Sequence, residues 1–275
     1  MKLQYVAGSD LSINQLFTDI KSNDPDMYTS IGGDGTVIRT FKKMIQNKHN
    51  VPVLVLAGGT TNFLSSFDIK VDNDKIIRQQ NPRLTFEKLQ NNELKYYGYK
   101  FKPIEVSYND KIYLAINDVL IGNNIADFTH FEVSTNYPSL KKVNFHGMGL
   151  NISTDIGSTG FHMNNSGQVF FDNNLFGITS IVSSKKINDL IPADEVEIIA
   201  MNDRSSVNVY IDGKNTVLNL GKGGKVKIRQ SEQTLTLAFL EEDQLNKRKI
   251  KYLDTNRLRY WYFINPKHNK NIIKI

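Results

Sequence analysis

Residues 30–41 read SIGGDGTVIRTF. An apolar stretch ends, three glycines arrive in four places around one aspartate, and a helical pattern begins. Just upstream, Met27–Ile31 reads as a strand. Downstream, Val37, Phe41, Met44 and Ile45 recur at helical spacing. A loop between strand and helix presents unpaired backbone N–H groups, and the helix dipole favours an anion there. Gly32, Gly33 and Gly35 let the backbone come close to phosphate oxygens, and Thr36 offers a hydroxyl. Asp34 is the odd member. A carboxylate beside phosphate is unfavourable unless it takes up a proton or helps to hold Mg²⁺, which makes it a candidate base for an attacking hydroxyl. The residues alone leave a second reading open, a glycine-rich turn whose aspartate caps the next helix. The loop lacks the Gly-Lys-Ser/Thr of a Walker loop and the spacing of GxGxxG.

Working outward, Leu3–Val6 reads as a strand. Ile13, Leu16, Phe17 and Ile20 fall on one helical face behind a Ser9 or Asp10 cap, and Val51–Leu56 is a buried-strand candidate before a second glycine loop, Ala57–Thr61. Strand, helix, strand, loop, helix, strand predicts a parallel α/β sheet, with ligands at the carboxyl ends of its strands. Beyond about residue 95 the texture becomes β-rich. Strands are expected at Tyr99–Val106, Lys111–Ile121, Phe131–Thr135, Val196–Ala200, Val207–Ile211, Val226–Arg229 and Thr234–Phe239, with turns at Asn109–Asp110, Asp212–Gly213 and Gly221–Gly224. From about 250 the chain turns basic and aromatic, and LRYWYFI (258–264) is too apolar for a free tail. The expected division is 1–95 plus 250–275 as an α/β nucleotide-binding domain with a returning C-terminal segment, and 96–249 as a β-rich dinucleotide-binding domain.

The 275 residues suffice for two domains, and 40% apolar with 23% charged residues is ordinary for a globular protein. The longest strongly apolar run, Val51–Ala57, is far short of a membrane span, and the N-terminus is a poor signal peptide, so a cytoplasmic protein without a membrane partner is expected. The chain has no cysteine, which rules out disulfides and thiolate metal sites. Its net charge of +6 comes largely from residues 247–274, read as a solvated basic face; no zinc-finger, basic-zipper or RNP pattern points to nucleic acid.

Three segments together carry a resemblance. IGGDGT (31–36) resembles the signature of a kinase superfamily that contains NAD kinases, diacylglycerol and sphingosine kinases and phosphofructokinases. LAINDVLI (114–121) is similar to the asparagine-acid segment of NAD kinases. GMGLNISTDIGSTGF (147–161) is similar to their GDG…STPTGSTAY stretch. YIDG (210–213) and LIPADEVEI (190–198) look like later strands of that family. The resemblance implies a Rossmann-like α/β N-terminal domain, a β-rich, β-sandwich-like C-terminal domain, and transfer of the γ-phosphate of ATP to the adenosine-ribose 2′-hydroxyl of NAD. Asp34 would be the general base. Gly32, Gly33, Gly35, Thr36 and Arg39 form the ATP and phosphate set. The NAD set is Asn62, Phe63, Asn117, Asp118, Ser158, Thr159, Gly160, Phe161, Asn164 and His146. Mg²⁺ would arrive with ATP, with no dedicated metal site, and a homo-oligomer, dimer or tetramer, is implied.

The sequence also departs from that pattern. Met148 stands for the acid of GDG, Ala57 for an asparagine, Phe161 for tyrosine, and Asp155 for the proline of STP. GTTNF (59–63) is similar to the GTGNDF loop of the lipid kinases. Two alternatives follow: a non-catalytic dinucleotide-binding protein, or a kinase of a lipid or other alcohol with an apolar rim near Phe63 and Leu64. His146 and His162 are candidates for phosphate or ribose contacts, His49, His130 and His268 are read as surface residues, and Asp212 as a hairpin-turn residue first.

Overall fold

A computed structural model describes residues 2–7, 23–57, 63–66, 69–72, 75–78, 87–88, 90–93, 95–123, 128–201, 207–213 and 216–264. The expected helix over 13–20, most of the second glycine loop, Asn62 and His268 lie outside the described residues.

The first sheet has the order β1 (Leu3–Ala7), β2 (Met27–Gly32), β3 (Val53–Ala57), β18 (Leu235–Phe239) and β6 (Tyr97–Phe101). The first four run parallel and β6 closes the edge antiparallel. Helix α1 (Asp34–Gln46) starts directly after β2 and buries Val37, Phe41 and Met44 beside Tyr28, Val53, Val55 and Phe101. Each large apolar side chain buried this way stabilises the fold by about 1.5–3 kcal/mol. The strand–glycine loop–helix reading of 27–45 thus agrees with the structure.

The second sheet is curled and β-rich, along β16 (Thr216–Leu220), β15 (Val207–Ile211), β9 (Asp118–Gly122), β11 (Val143–Ser153), β10 (Thr129–Thr135), β14 (Val196–Ala200), β17 (Lys225–Gln230), β7 (Ile104–Tyr108) and β8 (Lys111–Ala115). The long β11 lets it curl. Its first half pairs with β10 and its second half with β9, while β12 (Leu175–Ser183) lies on its other side and carries β13 (Asn188–Pro192). The sheet encloses a core in which Phe131 and Phe145 stack at 4.5 Å. A small hairpin, β4 (Ile69–Asp72) with β5 (Lys75–Arg78), stands apart from both sheets. The chain ends its described part in helix α2, Gln244–Ile264.

Two expectations are corrected. The strand expected over Tyr99–Val106 is two strands in different sheets, β6 and β7, parted at Lys102–Pro103, where proline has no N–H to give a ladder. The strand expected over Lys111–Ile121 is broken at Ile116–Asn117, because the Ile116 side chain leaves the second core and enters the first. β6 and β18 belong to the first sheet and α2 begins at Gln244, so the strands of the second sheet lie between Pro103 and Ser231. The first sheet's capture of β18 is physical: Leu235, Leu237 and Phe239 fill the first core. No helix among the described residues is long and apolar enough to cross a membrane.

Candidate active site between the two domains

A cavity of about 490 Å³ opens between the domains, lined by Ile38 of α1, Asn117, Asp118, Leu120 and Asn123 around β9, Phe161, Tyr210 of β15, and Asp212 and Gly213 of the turn that follows it. The two walls are interlocked. Ile116 and Ile156, on the second domain's loops, bury their side chains in the first domain's core, and this fixes the residues next to them.

On the first-domain side, Gly33 is the N-cap of α1 and Asp34 stands in its first turn. Gly32 has φ of +152°, a conformation that favours glycine, and a Cβ there would sit 2.4 Å from Thr36 Oγ1. Gly35 is exposed, and a Cβ there would meet nothing within 4 Å. The Asp34 carboxylate accepts hydrogen bonds from Leu64 N (3.0 Å) and Phe63 N (3.1 Å), which aim it. Thr36 is buried, and its hydroxyl accepts from Arg39 Nη2 at 3.0 Å. The loop after β3 is itself held by α2. Arg248 donates to the carbonyls of Phe63 and Ser65, and Gln244 to that of Ser66.

Among the described residues, Phe63 and Leu64 do not form the apolar rim that a lipid or other alcohol acceptor would call for. Leu64 is 2% exposed in the first core, and the Phe63 ring meets Tyr252 of α2 edge-on at 5.9 Å.

On the second-domain side, the backbone of Asn117 is fully engaged. Its N–H donates to Asp212 (2.8 Å), and its carbonyl accepts from Thr154 N (2.9 Å) and Thr154 Oγ1 (3.0 Å). The Asn117 side chain lines the cavity, and its buried Oδ1 has no protein partner among the described residues. Asp212 is buried, with φ of +49°, so it does turn the hairpin. It also accepts from Ile116 N at 2.9 Å and pairs with Lys42 Nζ of α1 at 3.2 Å, which ties the two walls together. Beside it, Asp118 is pushed up to about 7, first by burial and then by the Asp212 charge, with Asn151 pulling the other way.

The segment after β11 turns helically over Ser158–His162 but is kinked at Gly160, whose backbone is not helical. Ser158 is buried and its hydroxyl donates to the Asp155 carbonyl at 2.6 Å, so it serves the turn. Thr159 and Gly160 follow toward the surface, and Phe161, 42% exposed, presents its ring to the cavity. Asn164 is exposed and does not line the cavity.

The histidines are placed differently from expectation. His146 is exposed on β11, edge-on to Phe128 at 5.2 Å and to His130 at 5.9 Å, and does not line the cavity. His130 is half-buried in β10. His162 is fully enclosed, with its ring where a Cβ on Gly167 or Gly177 would fall, and burial pushes its pKa down to about 4. His49 is only partly exposed and shares a 2.9 Å hydrogen bond with Tyr28 Oη.

The structure therefore brings Asn117, Asp118 and Phe161 to one cavity, with Asp34 one helical turn before its wall residue Ile38. Sequence reasoning missed Lys42, and gave Asp212 mainly a turn role; the YIDG segment is the signal that pointed to the latter.

Comparison with known proteins gives the same frame. A model of the diacylglycerol kinase catalytic domain matches residues 2–85. The chain is 28% identical over 227 residues to an NAD kinase of Sulfurimonas denitrificans, covering 80% of this chain and 74% of that protein. It is 30% identical over 152 residues to an NAD kinase of Methanothermobacter thermautotrophicus, covering 55% and 48%. The chain is thus similar to NAD kinases over much of its length. Its fold is that of an Archaeoglobus fulgidus NAD kinase solved in complex with ATP (TM-score 0.68, 18% identity, 92% of this chain and 99% of that one). It is also that of a yeast NADH kinase solved with NADH (TM-score 0.65, 17% identity, 86% and 67%). The interdomain cavity is lined by two of the segments that carry the resemblance, through Asn117, Asp118 and Leu120 and through Phe161, while the third, 31–36, leads into the helix that bears the wall residue Ile38.

Proposed function

We propose that this protein is an ATP-dependent NAD kinase that phosphorylates the adenosine-ribose 2′-hydroxyl of NAD to give NADP, with Asp34 as general base. The observation that carries the reading is the cavity itself. It sets a flat aromatic ring, an amide and a carboxyl around a space sized for part of a dinucleotide, next to the helix whose first turn bears Asp34. Phe161 supplies stacking area, and Asn117 and Asp118 supply hydrogen bonds to hydroxyls or a base edge.

In the reaction the ribose 2′-oxygen forms a bond to the γ-phosphorus while the bond from that phosphorus to the ADP oxygen breaks, and the hydroxyl proton passes to Asp34. The two N–H donors on the Asp34 carboxylate occupy one lone pair on each oxygen and leave the others to accept that proton. Gly33 and Gly35, at the N-terminus of α1, present backbone N–H groups and the positive end of the helix dipole to the phosphates. Among the described residues no three His, Asp or Glu side chains are placed to hold a metal. In this reading the divalent cation enters with the substrate, as the Mg²⁺ salt of ATP. An acceptor embedded in lipid lacks support, because Leu64 is buried and Phe63 packs on α2.

The test is to supply ATP, Mg²⁺ and NAD and follow NADP with an NADP-specific dehydrogenase. The wild type makes NADP, and Asp34→Asn lowers turnover by about 10² or more with the fold intact. Binding of NAD without turnover in the wild type would favour the non-catalytic reading.

A further inference from the structure

Asp155 departs from the family pattern, and the structure gives it a partner. Its side chain is 1% exposed and that of Lys249, on α2, is 0% exposed. Lys249 Nζ lies 3.3 Å from Asp155 Oδ2, donates to the Phe170 carbonyl at 2.8 Å, and sits 5.3 Å from the centre of the Phe171 ring. Tyr99 of β6 donates to the same Oδ2. One carboxylate therefore gathers a strand of the first sheet, the C-terminal helix and the loop before β12.

The backbone around Asp155 is bound to the cavity wall. Thr154 reaches the carbonyls of Ile116 and Asn117, and Gly157 packs so close to Asn117 that a Cβ would fall 2.3 Å from its carbonyl oxygen. Ile156 is anchored in the first core. Residues 154–161 thus run from a buried ion pair to the ring of Phe161. Burial lowers the Lys249 pKa, and the Asp155 charge opposes that. Two ions this enclosed gain little net stability over an apolar pair of the same size, which points to a role in placement.

We propose that Lys249 and Asp155 are positioning residues: their buried pair clamps residues 154–161 between α2 and the first sheet and so sets Phe161 and Asn117 for the dinucleotide. The neighbouring Arg248 holds the loop that hydrogen-bonds Asp34. Two successive residues of α2 therefore hold the two loops that frame the site. The consequence for NAD rests on the NAD kinase reading; the clamp itself does not.

The experiment compares Asp155→Asn, Lys249→Met and the double variant with the wild type by amide hydrogen exchange and steady-state kinetics. Without substrate, the amides of Gly157, Ser158 and Gly160, bonded within this turn, exchange about tenfold faster or more in all three variants. The KM for NAD rises about tenfold, while kcat and the KM for ATP move by less than about threefold. The double variant, with no unpaired buried charge, regains thermal stability but keeps the raised KM. Wild-type exchange at those amides in the double variant, or a KM that recovers together with Tm, overturns the proposal. If the wild type fails to turn over NAD, the functional reading falls and the exchange data alone decide the clamp.

Discussion

Asp118 and Asp212 stand side by side on the cavity wall but are held in opposite ways. Asp212 receives two backbone N–H groups and the Lys42 ammonium. Asp118 is raised by its burial and then by the charge of Asp212, which together outweigh the Asn151 side chain and take its carboxyl from the usual carboxylate range to about 7. Its proton is bound more tightly in the folded chain than in the unfolded one. This contribution to stability is complete below about pH 4 and is lost as pH rises through about 7. Asp118→Asn removes the loss. The variant should gain on the wild type by about 2 kcal/mol between about pH 5 and about pH 8, allowing for water at a half-buried group. Urea unfolding at both pH values measures this, and a difference that does not change with pH would refute it. The identities of Asn117 and Asp118 were legible in the sequence. The raised pKa of Asp118 was not, because both the burial that chiefly raises it and the charge of Asp212, 94 positions later (212 − 118), are set by the fold. Lys42 was hidden for the same reason, as one of two adjacent lysines on a helix with no sign that its partner is buried.

At the level of elements, the glycine loop resolves into members with different duties. Gly32 is required by the backbone, since its φ of +152° and the contact with Thr36 leave no room for a side chain. Gly35 is open on the helix N-terminus, so its lack of a side chain matters only if something approaches from outside. The two alanine variants should therefore separate. Gly32→Ala costs about 2 kcal/mol or more and lowers Tm by several degrees. Gly35→Ala holds or raises Tm, because alanine favours helix over glycine by about 1 kcal/mol. It nevertheless raises the KM for ATP about tenfold, by setting a methyl group against the phosphates. An unchanged KM in Gly35→Ala would remove phosphate from that helix end. The strand–loop–helix unit was readable because periodicity and glycines agree over a dozen residues. The break at Ile116–Asn117 was not, since the strand-disfavouring pair Asn117-Asp118 is flanked on both sides by apolar strand formers. The competition of two cores for Ile116 interrupts the run, and that break is what exposes the Asn117 amide to the cavity.

On the scale of the molecule, the first domain is not a segment of chain. Residues 2–85 match a kinase domain model, but within that segment the first sheet has only β1, β2 and β3. β6 and β18 complete it from beyond, and Phe101, Ile116, Ile156, Leu235, Leu237, Phe239 and Leu245 bring much of its buried apolar surface. In a fragment of residues 1–95, the edge of β3 that pairs with β18 would stand open, and Val53 and Val55 would lose the side chains that bury them. The remaining surface is too small to offset the conformational entropy of ordering the chain. Such a fragment should show no cooperative thermal transition by near-ultraviolet circular dichroism, whereas the full chain should unfold cooperatively. A sharp transition in the fragment would mean that its core is self-sufficient, and that the returning strand and helix are accessory. The expected failure has a functional corollary. The helix that bears Asp34 is built on a sheet that β18 completes only after the second sheet in chain order, so the glycine loop and the far wall of the cavity should form together.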